Sequence, residues 1–188
     1  NRSVLEALDG GWNLLQKPLR RLHHFLNRDT IAQSKKNIAA HYDLGNDFFS
    51  LFLDPTMSYS GGVFVTREDS MEKASINKFE AICRKLDLKP SDEVIEIGTG
   101  WGGFAMYAAE HYGCHVTTTT ISEEQFAYAD EEITRRGLKG RITLLKDDYR
   151  QLRGQYDKLV SIEMIEAVGL AYLPLFFQTC SRFLSTFS

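Results

Sequence analysis

An open α/β sheet, mostly parallel and covered by helices on both faces, is the fold that this sequence predicts, on three observations. From residue 90 onward, short β-branched runs alternate with helix-patterned stretches, the order that gives parallel strands joined by crossover helices. One of those runs, Val94-Ile95-Glu96-Ile97, passes straight into glycines at 98, 100, 102 and 103 and then into a helical stretch over 104–111. The chain of 188 residues, 43% hydrophobic and 25% charged, is long enough for one core, so one main domain is the default.

Residues 3–26 place Leu5, Leu8, Trp12, Leu15, Leu19, Leu22 and Leu26 at spacings of three and four, with Pro18 interrupting, which reads as an amphipathic helix broken near the proline. Residues 29–40 read as a second helix capped by Asp29 or Thr30. Between positions 17 and 37, Lys17, Arg20, Arg21, Arg28, Lys35 and Lys36 oppose Asp29 alone, a net +5 in a chain whose formal charge is −3. A basic amphipathic segment suits an anionic membrane surface, and a solvated helix packed on the main domain accounts for it equally well. Outside this segment there is no basic patch adequate for nucleic acid.

Residues 41–64 combine Phe48, Phe49, Phe52 and Phe64 with many turn formers, the mixture that a lid over an apolar ligand needs, although each phenylalanine singly reads as core. A long helix over 69–88 carries Met71, Ala74, Ile76, Phe79, Ile82, Cys83 and Leu86 at helical spacing and ends before Lys89-Pro90. Beyond it the pattern predicts a strand and turn at 93–100, a helix at 102–112, a strand at 115–121 and a helix at 123–136 behind Ser122 as cap. Strands at 141–146 and 158–164 and a helix at 172–184 complete the chain.

Gly98, Gly100 and Gly103 satisfy G-x-G-x-x-G, a weak signal alone. A strand that turns on glycines into a helix offers a ligand backbone N–H groups and the positive end of the helix dipole, with no Cβ in the way. A dinucleotide site calls for an acid about twenty positions later, where this chain has Thr117-Thr118-Thr119-Thr120. Glu96 instead stands just before the first glycine, as the acid does in the E/D-x-G-x-G-x-G signature of S-adenosylmethionine (SAM)-dependent methyltransferases. SAM is therefore favoured over NAD, with a nicotinamide oxidoreductase as the lesser alternative.

Ligands of such sheets lie at the carboxyl ends of the strands. Those ends carry Gly98, Gly100 and Gly102, then Thr120, Ile121 and Gln125, then Asp147, Asp148 and Tyr149, then Glu163 and Glu166. Asp148 is placed to accept a hydrogen bond from an adenine amino group with Tyr149 against the ring, helix capping being the plainer role for Asp147 or Asp148. Glu163 and Glu166 share a face if their segment turns helical, and a carboxylate in the apolar run of Met164, Ile165, Ala167 and Val168 needs a partner or a raised pKa. Cys83, Cys114 and Cys180 are odd in number and widely spaced, which suggests neither a disulfide framework nor a metal site and fits a reducing cytoplasm. No apolar run approaches the length that spans a bilayer.

Four segments carry a closer likeness: His41-Tyr42-Asp43-Leu44-Gly45-Asn46-Asp47-Phe48-Phe49, the pair Tyr59-Ser60, Glu96-Ile97-Gly98-Thr99-Gly100-Trp101-Gly102-Gly103, and Ser161-Ile162-Glu163-Met164-Ile165-Glu166-Ala167-Val168-Gly169. Together they resemble the cyclopropane-fatty-acyl-phospholipid synthases and mycolic acid cyclopropane synthases, over about residues 38–184. The resemblance implies a Rossmann-like SAM-dependent methyltransferase sheet with an N-terminal helical cap. It implies SAM contacts at Tyr59, Ser60, Glu96, Gly98, Gly100, Gly102, Thr120, Ile121, Gln125, Asp148 and Tyr149. It also implies an active-site carboxylate at Glu166 that helps to hold a bicarbonate ion, with Phe48, Phe49, Phe52 and Phe64 as walls for an acyl chain. The reaction implied is transfer of the sulfonium methyl to a cis double bond of a phospholipid acyl chain, removal of a proton by bicarbonate, and ring closure. A cytoplasmic enzyme peripheral to the membrane, and a homodimer, are compatible with that chemistry.

Two departures qualify the likeness. Where many members have Tyr-Ser-Cys this chain has Tyr59-Ser60-Gly61, which leaves the Gly61 backbone N–H as the contact to the ion. The family continues into further strands carrying a His and a Tyr of the bicarbonate site, so the core is expected to be truncated at the C-terminus, as a fragment or completed by a partner chain. The expected division is residues 1–68 as helical segment and lid and 69–188 as an incomplete SAM-binding core. A lipid C-methyltransferase that does not close the ring and a non-catalytic SAM- or lipid-binding module are the other readings.

Overall fold

A computed structural model describes residues 45–184. The helices expected over 3–26 and 29–40, the basic stretch at 17–37, the motif residues His41-Tyr42-Asp43-Leu44 and the end at 185–188 lie outside the described residues. Four parallel strands, β1 (Glu93–Ile97), β2 (His115–Thr119), β3 (Ile142–Leu145) and β4 (Lys158–Val160), form one sheet in the order β3-β2-β1-β4. The helices are α1 (Gly45–Ser50), α2 (Met71–Leu86), α3 (Gly103–Tyr112), α4 (Glu123–Arg135), α5 (Ile165–Val168) and α6 (Leu173–Leu184).

β1 lies in the middle of the sheet, and Val94, Ile95, Glu96 and Ile97 are each no more than 2% exposed. Burial on both faces is why this strand reads as a continuous run rather than an alternating one. Val94, Val116, Ile142 and Val160 pack on one face against Phe79 and Cys83 of α2, Phe104 and Ala108 of α3, and Ala129 and Ile133 of α4. Ile95 and Ile97 pack on the other against Leu152, Val168 of α5, and Phe176 and Phe183 of α6. The predicted architecture of helices on both faces is the one observed.

The helix ends follow local chemistry. Ser70 caps α2 and its hydroxyl accepts from Lys73 N, while Ser122 caps α4 as predicted and accepts from Gln125 N. α2 stops earlier than the Lys89-Pro90 signal because Asp87 turns left-handed at φ +50 and its N–H closes on the Cys83 and Arg84 carbonyls. β4 ends at Val160 rather than at the predicted 164, because β1 has already turned at Gly98, φ +99, and no ladder is left to extend.

From β1 the chain moves outward through β2 to β3 and then returns on the other side of β1 as β4. The strand order therefore reverses between β1 and β4, and the crevice beyond their carboxyl ends is the place where sheets of this kind bind ligands. The two ends are drawn together there: Ser161 Oγ donates to the Ile97 carbonyl at 3.1 Å, and a Cβ at Gly98 would lie 3.2 Å from Met164 Cγ.

Candidate active site

The glycines of the turn after β1 have different reasons to be glycine. Gly98, Gly100 and Gly102 all have positive φ, +99°, +54° and +89°. A Cβ at Gly102 would approach Ala129 Cβ to 3.3 Å, and one at Gly103 would meet the Thr56 carbonyl at 2.8 Å, so these two positions are small because protein packs on them. At Gly100 nothing lies within 4 Å of the place a Cβ would take. Of the turn's glycines with left-handed backbone, Gly100 alone faces open space, as a ligand floor must.

Behind the turn, Glu96 is buried, and Thr118 Oγ1 donates to its Oε2 at 2.6 Å. Thr118 also lies 2.7 Å from Thr99 Oγ1, so hydroxyls connect the carboxyl to the glycine turn. Burial pushes the Glu96 carboxyl up to about 8, against the lowering effect of the Thr118 hydrogen bond. The turn itself is tied to β2, since the Gly98 and Thr99 amides both donate to the Thr119 carbonyl, at 3.2 and 3.0 Å.

The ends of β2 and β3 are pre-arranged by local bonds. Thr120 Oγ1 donates to Gln125 Oε1 at 2.9 Å and accepts from Ser122 N, so Thr120 and Gln125 form a closed unit around Ile121 at the start of α4. Asp148 is 2% exposed and is clasped by Arg150, whose backbone N and Nε both donate to Oδ1, at 3.0 and 2.8 Å. Its ring neighbour Tyr149 packs edge-on against Phe176 at 5.6 Å, with the Arg150 guanidinium 5.7 Å from its centroid. Asp148 is thus an ion-paired turn residue before it meets any ligand, and Tyr149 joins the core on the α6 side.

A loop from 54 to 61 brings Tyr59, Ser60 and Gly61 to the crevice. Two side chains of α2 hold it: Ser75 Oγ donates to Asp54 Oδ2 at 2.8 Å, and Lys78 Nζ donates to the Ser58 and Ser60 hydroxyls at 2.6 Å each. Burial pushes the pKa of Lys78 below its ordinary value, with the charges of Glu163 and Asp54 opposing. From the β4 side, Glu163 Oε1 accepts from Gly61 N at 2.9 Å. Lys78 was not among the expected site residues, and Glu163 was expected at the end of the fourth strand without a contact to Gly61. The signal for Lys78 was a lysine on the apolar stripe of α2, four residues from both Ala74 and Ile82.

The condition under which Glu163 and Glu166 would share a face, a helix running through both, is not met. Glu163 has φ +46, so the chain reverses before α5 begins at Ile165, and Glu166 is exposed in the first turn of that helix. Glu163, rather than Glu166, reaches Gly61.

Aromatic residues line the same end. Phe49 is 3% exposed and packs at 4.9 Å from Trp101, which makes it core rather than a channel wall, whereas Phe48, Phe52 and Phe64 are exposed. Phe52 and Tyr59 each pack on Phe49, and Phe48 meets it edge-on. Trp101 Nε1 donates to Asn46 Oδ1 at 2.7 Å, and Asn46 Nδ2 donates to the Glu124 carbonyl at 3.1 Å. α1 is thereby fastened across the glycine turn to the start of α4. Among the described residues, no helix is long and apolar enough to cross a membrane.

The profile of the mycolic acid cyclopropane synthetase family matches residues 29–186. The chain is 42% identical over 171 residues to a cyclopropane-fatty-acyl-phospholipid synthase of Escherichia coli K12, covering 85% of this chain and 44% of the relative. It is 38% identical over 165 residues to a probable fatty acid methyltransferase of Pseudomonas putida, covering 87% and 40%. Its structure superposes with a TM-score of 0.77 on the mycolic acid cyclopropane synthase CmaA1 complexed with SAH and CTAB, at 33% identity, over 80% of this chain and 53% of the other. The chain thus spans less than half the length of the two curated relatives.

Proposed function

This chain belongs to the mycolic acid cyclopropane synthetase family, and from that premise we propose that it carries the cofactor half of a SAM-dependent enzyme that adds a methylene group across the cis double bond of phospholipid acyl chains. The observation that carries this reading is the open floor at Gly100, set where the strand order reverses between β1 and β4. Tyr59, Ser60, Glu96, Gly98, Gly100, Gly102, Thr120, Ile121, Gln125, Asp148 and Tyr149, at or after the ends of β1, β2 and β3 and on the loop from 54 to 61, are the residues we assign to SAM. SAM, when bound, supplies an electrophilic methyl on sulfur.

With SAM held there, that methyl would meet the alkene of an acyl chain, whose π electrons would form the new C–C bond while the sulfur leaves as a neutral thioether. A base positioned by Glu166 would then take a proton from the transferred methyl, and the C–H electron pair would close the ring. The carboxylate at Glu166 is assigned to this end of the site. The residues present do not fit the bicarbonate ion that the resemblance implies at Gly61, because the Gly61 N–H already donates to Glu163, and no step is routed through it. The exposed Phe48, Phe52 and Phe64 offer apolar surface to an acyl chain, and the basic segment at 17–37 would favour an anionic bilayer reached from the cytoplasmic side. A homodimer is compatible with this surface.

Calorimetry with SAM, followed by product analysis on unsaturated phospholipid vesicles, tests the proposal. A cyclopropane product that has lost one hydrogen of the transferred methyl is expected, and Glu166→Gln should abolish it while leaving SAM affinity within a few-fold. A branched product would point to methylation without ring closure, SAM binding without product to a binding module, and full activity of Glu166→Gln would remove the assignment of that residue.

A further inference from the structure

The Gly61 N–H is the group that the family resemblance would give to a free carbonate ion, and in this chain it donates to Glu163 Oε1 at 2.9 Å, across 102 residues of sequence. A Cβ at Gly61 would come within 3.4 Å of the same oxygen, so the carboxylate lies directly over the loop backbone. Glu163 reaches it from a left-handed backbone, φ +46, a conformation that a non-glycine residue keeps only where its surroundings over-determine it. Lys78, 6% exposed, has its Nζ held by the hydroxyls of Ser58 and Ser60 and by the Ser60 carbonyl, on the same loop as Gly61, and Glu163 acts on it through space rather than by an ion pair. A backbone N–H donating to a carboxylate is a charge-assisted hydrogen bond, and the ammonium on the same loop favours negative charge there through space.

We propose that Glu163 is the resident anion of this seat: its carboxylate occupies the Gly61 N–H in place of free carbonate and holds residues 59–61 against the end of β4. A carbonate ion arriving at the same N–H would find the donor engaged and would face the negative charge of Glu163, so it binds there only when that side chain is absent. The choice of carbonate as the competing anion rests on the methyl-transfer reading of the site; the seat rests on the contacts alone.

The test follows the Gly61 backbone amide by heteronuclear NMR while sodium bicarbonate is added, with sodium chloride as the ionic-strength control. E163G removes the carboxylate and relaxes the left-handed backbone, and E163Q keeps an oxygen on the Gly61 N–H without the charge. The expected result is a saturable shift in E163G with an affinity at least tenfold above that of the parent chain. Gly61 amide exchange should be at least tenfold faster in E163G than in the parent and close to parental in E163Q. Equal bicarbonate responses in parent and E163G, no response in E163G, or equal Gly61 exchange in the two overturns the assignment. SAM calorimetry on the same proteins separates the readings: a parent chain that fails to bind SAM overturns the methyl-transfer function, while the bicarbonate titration still decides the place of Glu163.

Discussion

At Gly100 the geometry separates a ligand's needs from the fold's. A left-handed φ of +54 costs a β-branched residue about 1–3 kcal/mol, yet no protein atom stands within 4 Å of the new Cβ. Gly100→Val should therefore leave a folded chain, with a modest fall in thermal midpoint, and remove SAM binding in calorimetry. Gly103→Val should do the reverse in kind and damage the fold, since its Cβ would press on the Thr56 carbonyl at 2.8 Å. Retained SAM affinity in Gly100→Val would move the cofactor away from this floor.

Glu96 makes stability depend on pH. Its carboxyl is pushed up to about 8 in the folded chain by burial, against 4.5 as its ordinary value. Below 4.5 both folded and unfolded chains hold the proton and the group is silent toward pH. Between 4.5 and 8 the folded chain keeps the proton that the unfolded chain has released, so stability falls as pH rises through that window. Each pKa unit is ~1.4 kcal/mol, so the fall is on the order of a few kcal/mol. Denaturant unfolding of Glu96→Gln should show that slope flattened; an unchanged slope would mean that other groups produce it.

Among the elements, α1 is six residues long and has little helical stability of its own. It is held by Phe49 and Met57, which pack with Trp101, and by the indole N–H on Asn46. Truncating a buried large aromatic typically costs about 3–5 kcal/mol, and Trp101→Ala should destabilise by that amount. It should also raise amide exchange over residues 45–53 before exchange over β1. Loss of less than about 1 kcal/mol would show that α1 is not docked through Trp101. This docking explains the tryptophan between the second and third glycines of the turn: its ring packs on Phe49 and its N–H bonds Asn46, both on α1.

For the whole molecule, the site is assembled from sequence-distant parts at one end of a single sheet, so a ligand there should stabilise the folded chain globally. At a hundredfold excess over Kd, SAM should add about 2.7 kcal/mol, which corresponds to a rise in thermal midpoint of about 5–10 °C for a chain of this size. NAD should produce no shift. A rise with NAD and none with SAM would restore the oxidoreductase reading.

Periodicity and glycine spacing were enough to determine the α/β class, the strand-turn-helix at Glu96 to Gly103 and the ends of β2 and β3 near Thr120 and Asp148, because helix and strand periods and turn chemistry are local properties written every few residues. The four family segments were legible for the same reason. Only the tertiary structure decided that β4 returns beside β1, that Arg150 claims Asp148, that Phe49 is core, and that Glu163 rather than Glu166 meets Gly61. Those outcomes depend on which distant groups arrive at the same place, and on a positive φ at a glutamate that propensity argues against. Contact between residues a hundred positions apart is settled by packing and pairing in space, which no local spacing records.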